Sequence, residues 1–495
     1  MPEEALLMSM SIIVVYLVVM AYLGVYAGKK GRLTAEDYFL AKGTVGLLPL
    51  MLSFAATWTS AWYFLSAAGY MYHHGLAYYC SFAFNVACGL MIYYVGKRIW
   101  LLGHEFGFMS QMDIITDYYG STWVGYLVCI LLLAFTLPHI MIQLIGTGIM
   151  FQYASFQVIP FWLGCLLGGL VVTFYIWYGG RRAEIYTDVV QGVLLYGSLL
   201  AVGVGLAYAI AGGIPEAIAM MAEKEPKLLT LPGPSGFATY TWFFSYLIIV
   251  GFSAPFHPQM WFSFQAIKDV KLYRYIPLLY VFVQPPYIGS IMAGGLGRII
   301  NPGLKGAAAD DIIPMMISQY FPAWFLGIIM AGALAAAMST ADSAMHSGSA
   351  MLTKDFYARY NPKATSEQLA RFGRWMILVL FVIGYVLALT RPALISYFGA
   401  IATGGVFMFA PTLIGIFLWP RATKWGVAAG YIVGVVVLWI FSFAPPLGIM
   451  LHPYGIMSSL WGLGANFAVF FVVSLLTKPP PKETIERYKA VLDKA

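Results

Sequence analysis

Apolar runs of about 20 residues, the length a helix needs to cross the hydrocarbon core of a bilayer, recur thirteen times along this 495-residue chain. They fall near 8–28, 44–73, 77–101, 122–151, 158–179, 186–213, 240–264, 274–300, 320–352, 373–390, 394–419, 424–446 and 456–476. Hydrophobic residues make up 61% of the chain and charged residues 10%, against about 25% charged in a soluble domain; the mean hydropathy is +0.78. Helices satisfy all their backbone groups internally, so the expectation is an all-α polytopic membrane protein with about thirteen transmembrane helices. Only Glu3 and Glu4 stand as charges before the first run, with no basic leader and no small-residue cleavage pattern. It therefore reads as a retained helix rather than a signal peptide.

Charge placement tests that count. With the N-terminus outside, only Lys224, Lys227, Arg298, Lys305 and Arg391 lie outside. The other 23 of the 28 Lys and Arg residues, among them Arg32, Lys42, Arg181 and Arg182, fall on the cytoplasmic side. A missed or invented span would scramble that asymmetry, so the expectation is a multi-pass protein of the inner (plasma) membrane with its C-terminus cytoplasmic. The net charge of +7 then faces the leaflet rich in anionic lipid, and no nucleic-acid partner is needed. Cys80, Cys88, Cys129 and Cys165 fall within spans, with no spacing that points to a disulfide framework or a zinc site.

No soluble domain interrupts the membrane pattern. The expected organisation is a peripheral helix and loop at 1–43, five-helix halves at 44–213 and 240–419, and two further helices with a short tail at 420–495. The first helix of the second half carries Gly251-Phe-Ser-Ala-Pro-Phe-His-Pro-Gln259, and two prolines three residues apart leave helix backbone unsatisfied at mid-span. Its counterpart, Leu52-Ser-Phe-Ala-Ala-Thr-Trp-Thr-Ser-Ala61, has neither Gly nor Pro at its centre, so its own sequence does not call for a break.

The most polar stretch inside an apolar run is Ala335-Ala-Ala-Met-Ser-Thr-Ala-Asp-Ser343, which gathers three hydroxyls and a carboxylate. Such a cluster at membrane depth costs several kcal/mol unless something satisfies it. A bound cation would, and ion-coupled transport follows.

Four segments resemble the sodium/solute symporter family, which includes sodium-coupled transporters of proline, sugars, sialic acid, pantothenate and monocarboxylates. They are Thr57-Trp-Thr-Ser-Ala61, Tyr178-Gly-Gly-Arg-Arg-Ala-Glu-Ile-Tyr-Thr-Asp-Val-Val-Gln-Gly192, Met338-Ser-Thr-Ala-Asp-Ser343, and Leu352-Thr-Lys-Asp-Phe-Tyr357 followed by Asn361-Pro. The resemblance implies a leucine-transporter-like fold of two inverted five-helix repeats that works by alternating access, with sodium as the coupling ion. It places sodium on the carbonyls of Ala56, Thr59 and Ala336 and the hydroxyls of Ser339 and Thr340. Ala336 lies one helical turn before Ser339 and Thr340, so its carbonyl and their hydroxyls face one locus, and oxygen ligands suit a hard cation. The alternative is that both hydroxyls bond back to carbonyls of the preceding turn.

By the same resemblance, Asp188, Asp342 and Ser343 would hold a second sodium ion or a proton. The alternative is that each carboxylate pairs with Arg181 or Arg182. Solute contacts are expected from Thr57, Trp58, Ser60, Trp62 and Tyr63, and from Phe256, His257 and Gln259 at the Pro-flanked break. Freed amides at such breaks favour anionic groups, so a carboxylate-bearing solute of monocarboxylate or pantothenate type is expected. Trp58 replaces the aspartate that the proline carriers have, which counts against proline. The alternatives are an amino-acid or sugar symporter, or a transporter-like sensor, although the chain ends about twenty residues after its last span. The aromatic residues are expected to face lipid or the interface. No enzyme motif, channel filter repeat or metal cluster is visible, and His73-His74 reads as an exposed loop pair. The partners expected are therefore a small-molecule solute and the lipid bilayer.

Overall fold

The computed structural model describes residues 3–31, 34–41, 46–79, 84–390, 395–443 and 452–494. Arg32, Lys42, Arg391 and Cys80, with the parts of the expected runs at 44–45, 80–83, 394 and 444–446, lie outside them. The described residues are helical and contain no strand. The elements that build the site are α1 (Glu3–Lys30), α2 (Leu47–Trp58), α3 (Ser66–His74), α4 (Thr122–Ala154), α5 (Phe161–Ala211), α6 (Tyr240–Ser253), α7 (Pro258–Ala266), α8 (Ile288–Ile300) and α9 (Ala323–Met351). They are followed by α10 (Ser366–Leu389), α11 (Ile395–Phe407), α12 (Lys424–Phe443), α13 (Ser458–Leu476) and α14 (Lys482–Leu492).

Among the described residues, ten helical stretches are long and apolar enough to cross a membrane. The count of thirteen differs from this for two reasons. The runs at 44–73 and 240–264 are interrupted at mid-length, giving the half-helix pairs α2/α3 and α6/α7. Those at 158–179 and 186–213 run together as α5, which bends at Gly180. Gly180 has φ 54° and ψ −142°, and a Cβ there would lie 2.5 Å from the Tyr38 carbonyl oxygen, so only glycine fits the bend.

Helix α9 is the central post. Every residue from Met330 to Met351 is buried, and small residues let its neighbours approach closely. A Cβ on Gly332 would meet the Ser198 hydroxyl of α5 at 2.1 Å. Helices α1, α4 and α5 surround this post. Cys88, Cys129 and Cys165 are buried thiols.

The two ends of the bundle differ. At the end carrying residues 214–239, a turn at Gly306–Asp311 packs on α3. His73 Nε2 lies 3.3 Å from the Gly306 carbonyl and His74 Nδ1 lies 2.5 Å from Ser235 Oγ. The histidine pair is thus half-buried and ties down two loops, rather than standing exposed as the sequence led us to expect. At the opposite end, Arg182 pairs with Asp37 at 2.7 Å and Arg359 with Asp113 at 2.9 Å. There α14 docks through Tyr488, which packs on Phe106 and Tyr118 and donates to Asp117 at 2.9 Å.

Asp310, in the turn on α3, is 7% exposed, and its Oδ2 has no hydrogen-bond partner. Burial, reinforced by the neighbouring Asp311, pushes its carboxyl up to about 7. In the unfolded chain it titrates near 4. Between those values the native state binds the proton more tightly, so stability falls as pH rises through that window and levels off above it. Asp310→Asn should therefore match wild type near pH 4 and melt higher than wild type near pH 8, as read by thermal unfolding in detergent.

Candidate functional site

Helix α2 ends at Trp58 although no Gly or Pro stops it. Thr59 (φ −88°, ψ 90°) and Ser60 (φ −87°, ψ 177°) leave the helical region before a 3₁₀ turn at Ala61–Tyr63 leads into α3. The Ala61 N–H, freed by the break, donates to Gln143 Oε1 of α4 at 3.1 Å. The Ala55 carbonyl keeps the Thr59 N–H at 3.0 Å and also accepts from the Tyr196 hydroxyl of α5 at 3.0 Å, so the last closed turn is held from outside. The second break lies where the two prolines placed it: His257 is extended (φ −66°, ψ 134°) between a 3₁₀ turn at Ala254–Phe256 and α7.

Where α9 crosses the first break, Ser339 Oγ lies 3.0 Å from the Ala56 carbonyl and 3.3 Å from that of Ala336. Thr340 Oγ1 lies 3.1 Å from the Thr57 carbonyl and 3.3 Å from that of Ala336. Back-bonding to the preceding turn is thus present alongside a contact to α2. Each hydroxyl has one proton and two carbonyls in reach, so three carbonyl oxygens share two protons in a buried locus. Of the residues expected here, Ala56, Ala336, Ser339 and Thr340 come together. The carbonyl facing Thr340 is that of Thr57, while the Thr59 hydroxyl, which that expectation does not use, bonds Tyr196 at 2.5 Å and Tyr287 at 3.3 Å.

One turn further along α9 lies a second polar group. Tyr175 donates to Asp342 Oδ2 at 2.6 Å, and Ser343 Oγ is 3.1 Å from Thr57 Oγ1 and 2.6 Å from Glu184 Oε1. Ser53 donates to Asp188 Oδ2 at 2.5 Å, leaving Oδ1 without a partner. Neither aspartate pairs with an arginine: Arg181 pairs with Glu184, and Arg182 with Asp37. Three fully buried carboxyl groups, Glu184, Asp188 and Asp342, thus lie in this region with one buried guanidinium among the described residues, that of Arg181, which Glu184 takes. Glu184 and Tyr175 escaped the sequence reading because the signal that finds them, proximity to Ser343 and Asp342, is tertiary.

Above the crossing is a cavity reaching from Thr57 and Thr340 to Phe237 and His452, at the end of the bundle carrying residues 214–239. Thr57, Trp58, Ser60, Trp62, Tyr63, His257 and Gln259 line it, as expected. Phe256 does not; its ring packs against Phe407 and Phe409. His139 and Gln143 of α4 line it as well. Trp62, Tyr70, Tyr78, Phe84, Phe237, Trp242 and Tyr246 form an aromatic wall, so these seven line the cavity rather than facing lipid. Hydroxyls of Thr403, Ser442, Ser458 and Ser459 face it from other helices. Among the described lining residues there is no Asp, Glu, Lys or Arg.

Comparison with known proteins agrees with this geometry. The sodium/pantothenate symporter of Haemophilus influenzae is 28% identical over 82% of this chain and 84% of its own length. The osmoregulated proline transporter OpuE of Bacillus subtilis is 26% identical over 96% of each. The fold is that of a Na+-coupled sialic acid symporter solved in a substrate-bound outward-open state, with a TM-score of 0.78 at 20% identity, over 96% of this chain and 99% of that one. It is a leucine-transporter-like fold. Residues 38–434, which hold both breaks, the bend of α5 and the whole of α9, match the model of the sodium:solute symporter family, and this chain belongs to that family.

Proposed function

We propose that this membrane transporter, which is not an enzyme, imports a small carboxylate-bearing solute together with sodium by alternating access. The observation that carries the reading is the crossing of α9 over the first break. Two hydroxyls and three carbonyls converge there at the floor of a cavity whose described lining carries no fixed charge. Sodium is held by Ala56, Ala336, Ser339 and Thr340, with the Thr59 carbonyl freed at the break and that of Thr57 alongside. When a cation binds, the hydroxyl protons turn away and their lone pairs become ligands. Neutral oxygens bind it weakly enough for release on the other side.

Asp188, Asp342 and Ser343 form a second cation or proton site. Three buried carboxyl groups against one guanidinium leave negative charge at membrane depth that calls for a cation, and neither aspartate has an arginine partner. The solute occupies the cavity among Thr57, Trp58, Ser60, Trp62, Tyr63, His257 and Gln259, with Phe256 fixing the wall behind them. An amino acid's ammonium would find no carboxylate on this lining, which favours an acid of the kind carried by the pantothenate symporter relative over one of the kind carried by the proline transporter.

The N-terminus lies outside and the C-terminus in the cytoplasm of the plasma membrane. The cavity then opens outward, and the closed end with its ion pairs faces the cytoplasm. Residues 44–213 and 240–419 are the two repeats, each opening with a helix broken at its centre.

Ser339→Ala and Thr340→Ala should each raise the sodium concentration for half-maximal uptake roughly tenfold, and the double variant should abolish sodium-driven uptake into proteoliposomes. Uptake by the double variant at wild-type sodium sensitivity would remove this site. For the second site, the sodium dependence of uptake should show a Hill coefficient above about one that falls to about one in Asp342→Ala and in Asp188→Asn. A wild-type value near one, unchanged by either substitution, would argue for a single ion.

A further inference from the structure

Two histidine ring nitrogens in the cavity have no partner. His139 follows Pro138 inside α4, and His257 is the extended residue at the second break. Their ring centroids lie 5.1 Å apart, and both rings line the cavity. The Nε2 atom of each is buried without a hydrogen-bond partner, and His257 is only 2% exposed. An unpaired polar atom at this depth costs about 1–3 kcal/mol. Two such atoms, on neighbouring rings from different helices, call for a complementary group.

The neighbours say what that group is. Gln259 Nε2 lies 3.5 Å from His257 Nδ1, and when that amide donates, the ring proton sits on Nε2, the unpaired atom. Trp58 packs edge to face on the same ring, with centroids 5.8 Å apart, and holds its orientation. Helix α7 starts at the next residue, so its positive dipole end points into the same space. The lining offers no carboxylate to compete, and Thr57 and Thr340 join the cavity to the sodium locus. Donors, a helix N-terminus and a nearby cation all favour negative charge.

Resting on the sodium-coupled import proposed above, we infer that His139 and His257 together form the anchor for the solute's carboxylate. Each gives an Nε2–H to one oxygen, and Gln259 fixes the tautomer of His257. The solute body then lies along the aromatic wall, so the substrate is a monocarboxylic acid with a neutral body. Sodium and acid strengthen each other's binding because their charges lie on either side of Thr57 and Thr340.

The test uses the purified full chain and matched probes in which the carboxylate is replaced by a neutral group: pantothenate with pantothenol, lactate with lactamide, and proline with prolinamide. Thermal stabilisation is measured in sodium and in potassium. At least one acid should stabilise the chain in sodium while its neutral partner does not. His139→Phe and His257→Phe keep the ring volume and remove the donor. Each should weaken that acid roughly tenfold or more while sodium alone stabilises as in wild type. His257→Gln, which keeps an amide donor, should recover most of the affinity. The anchor is overturned if acid and neutral partner bind alike, if both Phe variants bind the acid as tightly as wild type, or if no acid binds while sodium does. Loss of the sodium response in wild type itself would instead overturn the sodium-coupled reading.

Discussion

Ser339 and Thr340 touch the Ala56 and Thr57 carbonyls because α2 stops where α9 crosses it. A continuous helix would give those carbonyls its own amide protons and leave the two hydroxyls nothing but their own preceding turn. The break therefore exists for the crossing, and the rest of the bundle supports the break. Gln143 takes up the Ala61 N–H that the unwinding frees, and Tyr196, from a different helix, holds the Ala55 carbonyl and the Thr59 hydroxyl where the helix ends. Without such partners, irregular backbone at this depth would be too costly to hold.

Beside this neutral site the fold keeps a charged one. Glu184, Asp188 and Asp342 come from two helices; Glu184 meets the Arg181 guanidinium, and Tyr175, Ser53 and Ser343 supply hydroxyl donors. Ser343 reaches Glu184, Thr57 and the Ser339 carbonyl from one position, so the two polar groups are one connected network. A change of charge in one is felt in the geometry of the other through a single serine.

Much of this was legible in the chain. Apolar run length located the spans, and the Pro-flanked segment around His257 announced its own break, because proline removes a donor wherever it stands. The break at Thr59 was not legible locally, since its causes are Gln143 and Tyr196, 82 and 137 residues away. The number of continuous helices was not legible for the same reason: whether a run stays one helix depends on what packs against its middle. Gly180 was readable as a glycine but not as a bend, because its conformation is set by Tyr38. Phe256 shared a stretch with His257 and Gln259, yet its side chain leaves on the other side of the extended residue, toward Phe407. His139 gave no signal beyond being a histidine in an apolar helix.

The bend at Gly180 places Arg181 at the start of a new helix segment, where one guanidinium grips Glu184 on its own helix and Ser263 on α7 at 2.7 Å. Ser263 in turn donates to the carbonyl of Gln259, a residue that lines the cavity. The lower half of the second broken helix cannot swing away from α5 without stripping a buried cation of one of its partners. Opening that end of the bundle is thus an electrostatic event as much as a mechanical one. The charge state of Glu184 sets how readily the arginine lets go.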